Sequence, residues 1–210
     1  VKSKPRKRLS VAFANDAHTI EAVSNAIDLG IVEGILVGDK NCIEEVCKKE
    51  KIDVKKFKIV HETDETKAAN LAVKLINDKE ADFLMKGLVS TDKYMRAILN
   101  KETGLLPPKA TLSHVVVMEL ERYPKLLIVS DVAVIPYPDL NQKIQIANYV
   151  IGVAHNLGIE QPRLALIAAT EQVSASMPSC VDAAIISKMA ERGQIKGALV
   201  DGPLALDVAI

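Results

Sequence analysis

Asp82-Phe-Leu-Met85-Lys86-Gly87-Leu-Val-Ser90-Thr91-Asp92-Lys93-Tyr-Met-Arg96 runs from a strand through a glycine turn into a helix. Residues 82–85 are short and apolar enough for a strand. Gly87 lets another backbone come close, and Ser90, Thr91 or Asp92 can cap a helix reaching Asn100. The same βα unit repeats on the N-terminal side. Strands are expected at 9–14, 34–37 and 57–60, and helices at 16–29, 42–51 and 65–78, the first helix ended by Gly30. Regular alternation of this kind predicts parallel strands joined by right-handed crossovers.

The rhythm breaks beyond Asn100. Pro107 and Pro108 exclude helix and interior strand. Strands at 113–118 and 126–129 then follow with too short a link for a crossover helix, which predicts an antiparallel hairpin. Alternation resumes with a helix at 140–157, a strand at 164–167, a helix at 181–191 and a strand at 198–200. The expected architecture is α/β: two lobes, 1–111 and 112–210, with a cleft between them and mostly parallel sheets.

The chain is 49% apolar but only 3% aromatic, with no Trp, so the core must be aliphatic, as strands buried on both faces require. Lys plus Arg and Asp plus Glu balance at 27 each, and no net field calls for nucleic acid or membrane. The basic run from Lys2 to Arg8 reads as a solvated lead-in. Cys42, Cys47 and Cys180 fit no zinc or CxxC spacing, which predicts reduced thiols in a cytoplasm. No apolar run has the length of a membrane span, and no GxGxxG, P-loop or metal-ligand cluster is present.

Four stretches could carry chemistry. Lys86, Gly87, Ser90, Thr91 and Arg96 surround the start of a helix, where free amides and cations could take an anion; Ser90 or Thr91 as a plain cap and Arg96 as a solvated residue are the alternatives. Asp131 follows a buried strand and needs a partner or a ligand, whereas Asp139 reads as an N-cap. Ser113-His114 opens the hairpin. Ser179 reads as an N-cap with Asp182 as its capping-box partner, in a loop that could also wall the cleft. At the end of the chain, Asp201-Gly202-Pro203 reads as a turn at a strand's carboxyl end, with Asp207 on a helix begun at Leu204. Ligands bind at that edge of open α/β sheets.

These stretches, Met85 to Thr91 with Arg96, Ser113-His114, Ser130 to Val134, Met177 to Asp182 and Lys188 to Ile210, together resemble the phosphate acetyl/butyryltransferase family, most nearly its butyryl branch. The resemblance implies two domains of the isocitrate/isopropylmalate dehydrogenase type and a homodimer or larger assembly. It also implies reversible transfer of a short acyl group, butyryl first, between coenzyme A and phosphate. Coenzyme A would be a substrate, with no tightly bound cofactor and no metal. The setting implied is the cytoplasm of a fermenting bacterium. A CoA thiol with pKa near about 8.5 must lose its proton to attack an acyl phosphate, so a carboxylate base helps. Asp201, Asp207 and Asp131 are the candidates. Fixed donors must hold the oxyanion and phosphate: Lys86, Gly87, Ser90, Thr91, Arg96, Ser113, His114, Ser179, Gly202 and Pro203 are the candidates for binding substrate.

The family continues beyond the position of Ile210, and a chain opening on Val1 is expected to lack its native start, so a longer native chain is expected; residues 1–210 alone are expected to bind poorly and catalyse little. A related enzyme on another acyl-CoA or phosphorylated substrate, and a catalytically incomplete relative acting as a binding or structural subunit, remain open.

Overall fold

The computed structural model describes residues 5–210. The chain divides into two compact units, one ending at Pro108 and the other spanning Lys109–Ile210.

The first unit alternates β1 (Lys7–Ala12), α1 (Ala17–Asp28), β2 (Val32–Gly38), α2 (Lys40–Lys49), β3 (Phe57–His61), α3 (Glu65–Asn77), β4 (Phe83–Lys86) and α4 (Thr91–Leu99). Its sheet has the order β3-β2-β1-β4, and every pairing is parallel. Alternate residues of β1 serve opposite faces. Leu9 and Val11 pack with Ile20 and Val23 of α1 and Ile43 and Cys47 of α2. Ala12 packs with Ala68, Ala72 and Val73 of α3 and Ala97 of α4. Ser10 points the same way as Ala12 and is tolerated in the core because its hydroxyl donates to the Ala72 carbonyl at 3.0 Å. Asp16, Asp39 and Asp64 cap their helices through backbone amides of Thr19, Asn41 and Lys67.

Lys7 and Arg8 belong to β1 rather than to a solvated lead-in. The Arg8 amide and guanidinium both bind Asp82, at 2.7 and 2.9 Å, which draws the strand start into the sheet. Lys2, Ser3 and Lys4 of the same basic run lie outside the described residues.

The second unit begins with the antiparallel pair β5 (Val116–Met118) and β6 (Leu127–Val129). It continues with α5 (Leu140–Asn156), β7 (Arg163–Ile167), α6 (Pro178–Glu191), β8 (Leu199–Leu204) and the short α7 (Leu206–Ala209). β7 and β8 are parallel. Ile151, Ile186 and Ile195 centre its core, flanked by Leu164, Leu166 and Val200. Asp139 and Gln142 form a full capping box at the start of α5.

Two sequence readings are corrected here. α6 starts at Pro178 with Met177 as N-cap, so Ser179 lies inside the helix and caps nothing. Pro at the first helical position has the right φ and lacks only an amide that would be unpaired anyway. Asp182 is bound instead to Lys143 of α5. The strand expected to stop at 200 runs on to Leu204, with a register shift opposite residues 165–167 that absorbs Gly202 and Pro203.

Candidate active site

In the first unit, the chain leaves β1 for β2 and β3 on one side and returns to β4 on the other. The point where strand order reverses lies between the carboxyl ends of β1 and β4, the usual ligand position in open α/β sheets. Lys86 and Gly87 stand at that edge. Gly87 is required there by the neighbouring chain: a Cβ on it would sit 2.6 Å from the Phe13 carbonyl oxygen and 2.7 Å from that of Ala12. Its amide donates to the Ala12 oxygen at 3.0 Å, and the Leu88 amide to that of Phe13 at 2.9 Å.

The start of α4 is not an open anion site. Ser90 is the N-cap residue but makes no side-chain cap bond. Its amide donates to the Glu65 carboxylate from the first turn of α3, and Lys93 pairs with the same carboxylate. These contacts hold the Glu65 carboxyl below the usual range, the Lys93 bond first and the Ser90 amide second. Thr91 is exposed at the start of the helix. Arg96 is 79% exposed and bonds Asp92 one turn earlier at 3.0 Å.

In the second unit, Asp131 gathers four donors. Ser113 Oγ gives to Oδ2 at 2.9 Å and the His114 amide at 3.3 Å; the Ala133 and Val134 amides give to Oδ1, each at 2.8 Å. Ser130 Oγ donates to the His114 carbonyl at 2.7 Å and lies 3.3 Å from Ser113 Oγ. Desolvation pushes the Asp131 carboxyl up, but the Val134, Ala133, Ser113 and His114 donors together outweigh it and hold it at about 2. Such a carboxylate is a fixed acceptor and a weak base.

A carboxyl lowered on folding stabilises the fold above its unfolded pKa, here 3.8, and ceases to do so as pH falls through about 2. Because water screens part of these contacts, Asp131 should contribute on the order of 1 kcal/mol at neutral pH, lost between about pH 4 and pH 2. Urea titrations at pH 6, 4 and 2.5 check this: Asp131→Asn should remove that part of the acid dependence and leave the rest.

The carboxyl-terminal candidates are placed differently from the sequence reading. Asp201 is inside β8, opposite Ala165, and its Oδ1 accepts the Gly202 amide at 2.8 Å. The Gly202 carbonyl accepts Ser187 Oγ of α6 at 3.1 Å, and Pro203 is buried. This segment ties β8 to α6. Asp207 is exposed in the first turn of α7. Ser179 is half-buried on α6 and lines a cavity of the second unit.

Thus Ser113, His114 and Asp131 converge in one unit, while Lys86, Gly87, Ser90, Thr91 and Arg96 share one strand-to-helix turn in the other. Glu65, Lys93 and Ser130 complete these two clusters; Lys93 and Ser130 lie within stretches the sequence marks without being candidate residues there, and Glu65 lies outside them. The pairing of Glu65 with Ser90 and Lys93 needs α3 and α4 on the same face of the sheet, which residue spacing does not reveal. Among the described residues, no group of three or more His, Cys, Asp or Glu is placed to hold a metal ion.

Residues 64–210 match the protein family described as Phosphate acetyl/butaryl transferase. The whole chain is 50% identical over 210 residues to a phosphate butyryltransferase of Clostridium acetobutylicum, covering 69% of that protein. It is 40% identical over 201 residues to a phosphate acetyltransferase of Thermotoga maritima, covering 96% of this chain and 68% of that protein. Among solved structures, a branched-chain phosphotransacylase from Enterococcus faecalis V583 superposes with a TM-score of 0.79 at 30% identity, over 97% of this chain and 70% of the other. The chain belongs to the phosphate acetyl/butyryl transferase family.

Proposed function

We propose that the protein transfers a short acyl group, butyryl first, between coenzyme A and inorganic phosphate, so that acyl-CoA and phosphate give acyl phosphate and free CoA. The observation that carries this reading is the 50% identity across the whole chain to a phosphate butyryltransferase. In the forward direction a phosphate oxygen attacks the thioester carbonyl, the C–S bond breaks, and the CoA sulfur leaves with the electron pair. In reverse a base removes the thiol proton. The four donors around Asp131 speak against that carboxylate as the base. Asp201 and Asp207 are both exposed, and Asp201 spends one oxygen on the Gly202 amide of its own strand, which favours Asp207 of the remaining two carboxylates. Coenzyme A is a substrate in this reading and not a resident cofactor. A cytoplasmic, fermentative setting and a homodimer or larger assembly go with it. Among the described residues, no helix is long and apolar enough to cross a membrane.

The reading is tested on protein purified from its native source, by following phosphate-dependent release of free thiol from butyryl-CoA. Release that is unchanged when phosphate is omitted would overturn it. Acetyl-CoA is the second substrate to compare, because a phosphate acetyltransferase is 40% identical to this chain.

Arg96 provides a sharper check on the β4–α4 turn. Its pair with Asp92 is solvated on both sides, so losing it should change stability by no more than about 0.5 kcal/mol. If Arg96 reaches an anionic substrate, Arg96→Ala should raise the apparent constant for phosphate or CoA at least about tenfold, the size of one lost charge-assisted hydrogen bond. Unchanged constants for both substrates reduce Arg96 to a solvated helix residue.

A further inference from the structure

Leu88 is 56% exposed in the middle of a turn that leaves its backbone little freedom. The Gly87 and Leu88 amides are bonded to the Ala12 and Phe13 carbonyls, and the Ser90 amide to Glu65. Val89 is fully buried in the core shared with α3 and α4. The chain is thus tied on both sides of Leu88, and only its side chain is turned outward. The other large apolar side chains exposed in this unit, among the described residues, lie where the strands begin: Leu29 and Ile31 join α1 to β2, Phe83 opens β4 and Leu99 closes α4. Leu88 stands at the carboxyl edge, at the switch point between β1 and β4 where ligands of open α/β sheets bind. Scattered exposed apolar groups are ordinary on protein surfaces. This one sits on a fixed turn, and its neighbours Lys86, Ser90 and Thr91 are exposed and polar. A cation and two hydroxyls beside one apolar group complement a ligand that is anionic at one end and apolar at the other.

We propose that Leu88 is a specificity-determining residue, whose side chain packs on the acyl chain of the substrate and favours butyryl over acetyl. The inference rests on the acyl-transfer reading above and deepens it. An acyl phosphate carries its charge at one end and its hydrocarbon at the other, as the row from Lys86 to Thr91 requires. Acetyl has only a methyl beyond the reacting carbonyl, whereas butyryl extends two methylenes further. Taking those two groups out of water against an apolar side chain favours butyryl by roughly five- to fifteenfold. A mobile loop would forfeit part of that gain in being ordered, and the hydrogen bonds that flank Leu88 avoid this loss.

The test compares kcat/KM for butyryl-CoA and acetyl-CoA at saturating phosphate, in variants made in the native gene and purified from the native source. Leu88 is exposed, so Leu88→Ala should fold, which calorimetry checks. It should lower the butyryl-to-acetyl ratio at least about fivefold and leave acetyl transfer within about twofold of the parent. Leu88→Gln, similar in size but polar, should lower the ratio as much and carries the same test if the alanine variant does not fold. Leu88→Met should keep the ratio. The inference alone is overturned when the parent transfers butyryl and the folded Leu88→Ala or Leu88→Gln variant keeps the parent's ratio. Equal losses for both substrates overturn it too, since they make Leu88 a support of the turn. A parent that releases thiol from neither acyl-CoA in a phosphate-dependent way overturns the acyl-transfer reading, and this inference with it.

Discussion

Gly87→Ala should destabilise the first unit by about 3 kcal/mol, enough to lower its unfolding transition by roughly 10–20 °C. The added methyl would meet backbone and not a movable side chain: the Phe13 and Ala12 carbonyl oxygens at 2.6 and 2.7 Å and the Phe13 carbonyl carbon at 3.0 Å. No rotamer change relieves that. The strands must separate, and doing so stretches the Gly87-to-Ala12 and Leu88-to-Phe13 hydrogen bonds that hold β4 to β1 beyond their ends. Gly152 is the control. It lies on the exposed side of α5, and a Cβ there has nothing within 4 Å. Gly152→Ala should stabilise the second unit by about 0.5–1 kcal/mol, since the helix interior favours alanine. Calorimetry on the two variants checks both signs. A Gly87→Ala protein as stable as the parent would mean that the β1–β4 approach is looser than these distances indicate.

The alternation of strands and helices was legible because it rests on periodicity and on caps. Gly30, Asp139 and the apolar runs at 34–37 and 164–167 each mark an element found within a few residues of its expected place. Departures occur where side chains compete with the ladder. Residues 113–115 read as strand, but there Ser113, His114 and Ser130 are engaged with one another and with Asp131, so β5 begins only at Val116. Gly202-Pro203 reads as a turn because proline has no amide to give. In β8 the local register shift opposite β7 makes that amide unnecessary, and the strand continues. The candidate site was legible in part for a related reason. Spacing finds residues on one turn, such as Lys86 to Arg96, whereas the Glu65 carboxylate reaches Ser90 only through the packing of two helices.

The Asp131 cluster separates two roles that sequence alone leaves together, base and anchor. Asp131→Ala would strip the acceptor from three amides and one hydroxyl at once. At a partly exposed site where water replaces some of these bonds, the expected cost is about 2–4 kcal/mol in the second unit. The 130–134 segment would then lose its fixed path. If that segment positions reacting groups, transfer should fall by about a hundredfold, the loss that a shift on the order of 1 Å produces. Asp131→Asn should be milder. Its remaining oxygen can still accept from Ala133 and Val134, but its NH₂ would face the His114 amide, which can only donate, and the Ser113 hydroxyl, which must turn its proton away to accept, so that half of the cluster must reorganise. The pH profile distinguishes anchor from base. An anchor held at about 2 does not titrate where the enzyme works, so both variants should lower kcat/KM without changing the shape of its pH dependence. A base at this position would instead give an acid limb that vanishes in Asp131→Asn. Ser113→Ala, made alone and with Asp131→Asn, completes the argument: through an anchor the two losses overlap and the double variant is little worse than Asp131→Asn. Full additivity, or loss of the acid limb, would return Asp131 to the reacting atoms.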